Sequence, residues 1–155
     1  MRVLYVGDHS ADPKEKSIFL AGPSPREAGD LHWRPEAIAI LERLKFKGQV
    51  FVPLTVRGGW HKDGSVQIEW ELAHLKAATV IGFWIPRKVM SMPAFTTNVE
   101  FGMYVESGKI VLGFPPGAER MEYLRYVARM NDVPICSKLK ETMTVCVAMA
   151  NSLVT

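Results

Sequence analysis

Three short segments carry side chains that could do chemistry. The sharpest is Thr97-Asn98-Val99-Glu100. It fits a capping box, S/T-x-x-E, in which the glutamate reaches back to the cap amide. It also fits a carboxylate positioned at a helix N-terminus, whose positive end would keep it ionised. An ionised, positioned carboxylate is a nucleophile for sugar chemistry. The second segment is Glu69-Trp70-Glu71. Acids two positions apart cannot face the same way on a helix, so at most one points into a site and the other is a solvated face. The third is Gly22-Pro23-Ser24-Pro25-Arg26, a small-residue turn closing an apolar run. Such a turn lets backbone amides approach an anion or a sugar hydroxyl. It reads equally as a tight reversal of the chain. It is neither GxGxxG nor a Walker loop, so dinucleotide and triphosphate sites are poorly supported.

Other chemistries find no pattern. The four histidines (His9, His32, His61, His74) show no HxxxH or HExxH spacing, which argues against a metal site. Asp8-His9-Ser10 is adjacent in sequence, unlike a catalytic triad, and Ser24 lacks the GxSxG elbow. Trp33, Trp60, Trp70 and Trp84 fall at or near loop edges, where an indole can stack on a planar base. Trp84 ends a buried strand and reads as core. Trp60 and Trp70 fit either role.

The elements that must hold these residues are legible from periodicity. Short β-branched or aromatic runs mark strands at Val3–Val6, Ser17–Ala21, Val50–Pro53, Val80–Ile85 and Lys109–Gly113. Helical spacing marks Arg34–Phe46, opened by Arg34-Pro35, then Val66–Ala77, and Thr97–Ser107, stopped by Gly108. Two further helices, about Glu119–Met130 and Lys138–Ser152, complete the pattern. Strands alternating with helices predict an α/β fold. The expected architecture is a Rossmann-like three-layer sandwich with a mostly parallel sheet of about five strands. Ligands in such folds bind outside the carboxyl ends of the strands. That limits the search to five loops: Gly22–Trp33, Pro53–Ser65, Pro86–Thr97, Phe114–Ala118 and the turn near Pro134.

Composition bounds the rest. The chain has 155 residues, 48% hydrophobic and 23% charged, which fits one globular domain over 1–155. Nineteen basic against sixteen acidic residues leave +3, too little to argue for nucleic acid or an anionic membrane. The longest nearly unbroken apolar run, Ala77 to Ile85, is about half the ~20 residues of a membrane span. The N-terminal apolar stretch meets Asp8 at once, which argues against a signal peptide and makes a cytoplasmic protein the expectation. Cys136 and Cys146 read as reduced core thiols.

Taken together, the stretches IFLAGPSPR (Ile18–Arg26), WRPEAI (Trp33–Ile38), QIEWE (Gln67–Glu71), FWIPR (Phe83–Arg87), AFTTNVEFG (Ala94–Gly102) and SGKIVLG (Ser107–Gly113) resemble the nucleoside 2-deoxyribosyltransferase superfamily, in its shorter deoxyribosyltransferase-like branch. They run in order from about residue 17 to 113. The resemblance implies a flavodoxin-like parallel sheet and a glutamate nucleophile, which falls on Glu100 in Val99-Glu100-Phe101-Gly102. It implies that Phe19 takes the place of an aromatic lining the sugar pocket, and that Glu71 helps bind the base. The family's aspartate six residues before the nucleophile is Ala94 here, which moves base activation to Glu71 or Glu69.

The expected reaction is N-glycosidic cleavage or base exchange on a 2′-deoxyribonucleoside or its 5′-monophosphate, through a covalent deoxyribosyl-Glu100 ester. Gly22, Ser24 and Asn98 would hydrogen-bond the sugar, Trp70 would stack on the base, and Arg26 and Arg87 either contact a 5′-phosphate or are surface charges. No metal or organic cofactor is required. The partner is a small-molecule nucleoside or nucleotide, and the family implies a homo-oligomer of at least two subunits. Two alternatives stand beside this reading: a non-catalytic nucleotide sensor, and a nucleotide or NAD-type glycohydrolase on the same sheet.

Overall fold

The structure is a computed structural model and describes residues 1–25 and 32–153. Six strands are present among these residues: β1 (Arg2–Tyr5), β2 (Ser17–Ala21), β3 (Gln49–Val52), β4 (Val80–Trp84), β5 (Ile110–Gly113) and β6 (Ile135–Cys136). Five helices accompany them: α1 (Arg34–Arg43), α2 (Gly64–Ala77), α3 (Phe95–Tyr104), α4 (Glu122–Met130) and α5 (Leu139–Ser152). The sheet order is β1-β3-β2-β4-β5-β6, and every neighbouring pair is parallel. Counted from β2, that is the 2-1-3-4-5 order of doubly wound flavodoxin-like sheets, with β1 added at the edge beside β3. The sixth strand exceeds the expected five because β6 has only two residues, too few for any periodicity to register.

Strand alternation divides the interior into two cores. Phe19, Phe51, Ile81, Phe83 and Leu112 enter one face, which α2, α3 and α4 cover through Trp70, Leu75, Phe101 and Leu124. Ile18, Leu20, Val50, Val80 and Val111 enter the other, covered by α1 and α5 through Leu41, Met143 and Cys146. Both cysteines are free and buried. No helix of the described residues is long and apolar enough to cross a membrane.

Several helix ends differ from the periodic reading. The first helix stops early, at a Schellman turn: Lys45 adopts a left-handed φ of 54°, Lys45 N–H donates to Glu42 O and Phe46 N–H to Leu41 O. The third starts two residues early, at Phe95, because Ala94 with φ 59° turns the chain into it. No side-chain cap forms there, so the capping box at Thr97 is absent and Glu100 lies a full turn into the helix.

Close packing of α5 on the sheet depends on Gly82. A Cβ at that position would lie 2.8 Å from Cys146 Sγ and 3.3 Å from Met143 Cε. Gly82→Ala is therefore expected to destabilise by about 1–3 kcal/mol. Adding Cys146→Ala should make the Gly82→Ala substitution less costly than it is in the parent. Urea unfolding of the parent, both single variants and the double variant measures this, and strictly additive effects would contradict the contact.

Candidate active site

The neighbours β2 and β4 form the switch point of the sheet, where chain connections depart in opposite directions. A cleft of about 70 Å³ opens at their carboxyl ends. Its walls come from three of the five expected loops: Gly22–Ser24 after β2, Pro53 and Trp60 after β3, and Met92–Thr97 after β4. Arg34, Glu71 and Glu100 project into it from α1, α2 and α3.

Arg34 organises this space. Its side chain is almost wholly buried. Nε donates to Leu20 O at 3.1 Å, Nη2 to Gly22 O at 2.6 Å, and Nη1 to Ser24 Oγ at 3.0 Å. The guanidinium lies over the Trp33 ring, 4.6 Å from its centroid, while Trp33 Nε1 donates to Pro23 O at 3.0 Å. Arg34 thus nails the loop after β2 to the start of α1. Gly22 is the residue that lets the loop sit there. Its φ is +144°, and a Cβ would fall 2.1 Å from Trp84 O, inside the adjacent strand.

Glu71 is held from its own helix. Gln67, one turn earlier and fully buried, donates from Nε2 to Glu71 Oε1 at 2.6 Å and to Pro53 O at 3.1 Å. Gln67 Oε1 accepts the His61 N–H at 2.9 Å, so one amide ties Glu71 to the loop after β3. Glu69 points the other way, into solvent.

Burial governs the charges. Desolvation first, and the charge of Glu71 after it, raise the Glu100 pKa to about 8 against the opposing charge of Arg34. The Glu71 carboxyl is also raised, by burial first, against the Gln67 hydrogen bond and the Arg34 charge. Desolvation lowers Arg34 to about 10, so it stays cationic at neutral pH with the two carboxylates sustaining it. The expectation that a helix N-terminus keeps Glu100 ionised is corrected here. One turn in from the first residue, and buried, Glu100 feels desolvation more than the macrodipole.

The other expected site residues are distributed as follows. Gly22 and Ser24 line the cleft. Phe19 is wholly buried beneath it, with its ring centroid 6.3 Å from that of Trp70. Trp70 is core rather than wall. It stacks on His74 at 3.8 Å, and its Nε1 donates to Asp8 O at 2.9 Å, which leaves almost none of the indole for a ligand. Trp60, 56% exposed at the mouth, is the indole that the cleft presents. Arg87 and Asn98 bond to each other and line a different cavity, on another side of α3. Arg26 lies outside the described residues. No three His, Cys, Asp or Glu side chains gather as metal ligands among the described residues.

Arg34 in the cleft, and Gln67 buried behind Glu71, are not singled out as site residues from the sequence. Gln67 does carry a usable signal, because Gln-x-x-x-Glu on a helix places amide and carboxylate one above the other. Arg34 reads from the sequence only as part of a helix start, Arg34-Pro35, with nothing in its spacing to turn it inward.

The Glu100 shift has a stability consequence with a definite sign. Its folded pKa of about 8 exceeds the ordinary 4.5, so the folded chain holds the proton more tightly than the unfolded chain. That contribution is fully present below the ordinary value and is lost as pH rises through about 8. Glu100→Gln removes the ionisation. Its stability relative to the parent should rise between about pH 5 and pH 9, by an amount on the order of a few kcal/mol. Thermal unfolding across that range checks it, and a constant offset would contradict a buried, proton-retaining Glu100.

No curated protein matches the chain. The family model described as nucleoside 2-deoxyribosyltransferase like matches residues 15–118, a segment that holds β2 through β5 and every wall of the cleft. With a paired-carboxylate cleft at the switch point of a parallel sheet, and this match over most of its length, the chain belongs to the nucleoside 2-deoxyribosyltransferase-like family.

Proposed function

We propose that this protein cleaves the N-glycosidic bond of 2′-deoxyribonucleosides or their 5′-monophosphates. The observation that carries the proposal is the convergence of Glu71 and Glu100 on one cleft beside a buried cation, Arg34, in a member of this family. Glu100 attacks C1′ as the C1′–N bond breaks through an oxocarbenium-like transition state. The leaving base takes its proton from Glu71, and a deoxyribosyl ester of Glu100 remains. Glu71, now ionised, deprotonates water or an acceptor base, which attacks C1′ and releases Glu100 with retained configuration.

Proton placement follows from what the displacement requires. Attack needs Glu100 ionised while Glu71 is protonated, so the active pair carries one proton and one negative charge. Arg34 is the fixed positive group that stabilises that single charge in a desolvated site. The position of Ala94 in the cleft wall is consistent with base activation by Glu71 instead of an aspartate there.

The cleft volume of about 70 Å³ is small beside the roughly 300–1,000 Å³ of ligand pockets. On this reading the sugar alone enters it and the base lies over the rim at Trp60. Ser24 and the Gly22 backbone, which line the cleft, would bind sugar hydroxyls. A homo-oligomer belongs to the same proposal. Phe95, Val99 and Met103 are all more than half exposed and spaced four apart on α3, an apolar stripe suited to a second subunit.

Chromatographic product analysis with each deoxynucleoside and deoxynucleoside monophosphate, with and without an acceptor base, tests the reading. Turnover should vanish in Glu100→Ala. Free base plus sugar identifies a hydrolase and exchanged nucleoside a transferase; binding without turnover would replace the proposal with a nucleotide sensor.

The pH profile makes a separate prediction. The singly protonated pair is lost to a second proton at low pH and to deprotonation of Glu71 at high pH, so kcat/KM should be bell-shaped, with its alkaline limb shifted up by the burial of Glu71. Glu71→Gln should lower the rate and flatten the alkaline limb. An unchanged profile in that variant would remove Glu71 from the role of acid.

A further inference from the structure

A second cavity, of about 600 Å³, lies between α3 and α4. Its volume falls within the range of small-molecule pockets, which the cleft at Glu100 does not reach. Phe101 and Leu124 supply apolar wall and Tyr123 an aromatic edge; Arg87, Asn98 and Arg120 supply the polar groups. None of its lining residues is acidic.

Arg87 is the unusual member. It is only 4% exposed, yet it has no carboxylate partner; the ion pair formed among the described residues joins Arg2 to Glu15. Its Nη1 donates to Arg120 O at 3.0 Å, its Nη2 to Asn98 Oδ1, and its Nε has no partner. Glu119, the nearest acid in sequence to Arg120, accepts the Val89 N–H at 2.6 Å instead. A buried guanidinium satisfied only by neutral oxygens is an uncompensated charge. Arg34 provides the contrast, since that guanidinium has more acceptors and two carboxylates within electrostatic reach.

We propose that the cavity between α3 and α4 is a second ligand site, which takes a small organic anion with a phosphate or carboxylate head and an aromatic or apolar body. The head seats between Arg87 and Arg120, where planar guanidinium forks match an oxyanion in a bidentate way. The body lies on Phe101, Leu124 and Tyr123. The site shares no lining residue with the Glu100 cleft and stands whether or not that cleft is catalytic.

The full chain, labelled with ¹⁵N, would be titrated to millimolar concentrations with phenyl phosphate, benzoate, inorganic phosphate and neutral benzyl alcohol. Phenyl phosphate or benzoate should produce saturable amide shifts at Asn98, Phe101 and Leu124. The tighter of the two identifies the head group. Inorganic phosphate, without the body, should bind more weakly, and benzyl alcohol should shift these amides little. Arg120→Ala, an exposed position, should weaken binding roughly tenfold, as expected for loss of a charged hydrogen bond. Arg87→Gln should weaken it further if the variant folds, and Arg120→Ala keeps the test readable if it does not. The proposal fails if neither anion gives saturable shifts there, or if the shifts gather at Gly22 and Ser24 instead. It also fails if benzyl alcohol binds as tightly as the anions, or if Arg120→Ala changes nothing.

Discussion

The buried guanidinium of Arg34 is the constraint around which the carboxyl edge of this sheet is arranged. A cation removed from water is tolerable only with its donors satisfied and a compensating charge near. Arg34 meets the first condition with the carbonyls of Leu20 and Gly22 and the hydroxyl of Ser24. It meets the second with Glu71 and Glu100. Those acceptors are available only because Gly22 turns the chain where no side chain would fit against Trp84. Loop position, helix start and carboxylate placement are therefore one linked arrangement, and disturbing any member exposes the charge of the others.

This arrangement also explains why two acids can be buried together. Alone, each would be desolvated and repelled by the other, and both are pushed toward the neutral form. The cation offsets one negative charge and not two. A pair that holds one proton between neighbouring carboxyls is what acid-assisted displacement at a sugar carbon uses, because one member must donate while the other attacks. The proposed reaction thus draws on an electrostatic imbalance that is already a property of the folded cleft.

The two buried arginines divide according to what surrounds them. Arg34 is closed inside the fold by acceptors and acids, which makes it part of a built site. Arg87 lines a large cavity, meets only neutral oxygens and keeps its buried Nε unpartnered. Both sit beside a proline, in Trp33-Arg34-Pro35 and Ile85-Pro86-Arg87. Their surroundings differ because α1 and the segment after β4 meet different neighbours across the sheet.

Local pattern accounts for much of what was legible. The β-branched runs predict all strands but β6, and the alternation within them places Phe19 and Ile18 on opposite faces. The i, i+2 argument allows only one of Glu69 and Glu71 inside, and α2 turns Glu71 inward. Helix ends were less accessible, since Lys45 and Ala94 take left-handed conformations that residue type does not announce. The capping-box pattern at Thr97 failed for the same reason: a turn set at Ala94 started the helix early and carried Glu100 into the interior.

Local sequence is enough for the parallel α/β architecture, for the edge at which a site must lie, and, through the family resemblance, for Glu100 and Glu71 as its candidate acids. The architecture and the edge follow from periodicity and spacing, which act over a few residues; the two acids follow from motifs that resemble the family's. Tertiary packing sets Trp60 rather than Trp70 at the cleft, puts Arg87 and Asn98 in a separate cavity, and brings Arg34 within electrostatic reach of both acids. Those outcomes depend on which elements meet across the sheet. Burial, and with it every shift in charge, is a property of that meeting and not of any segment alone.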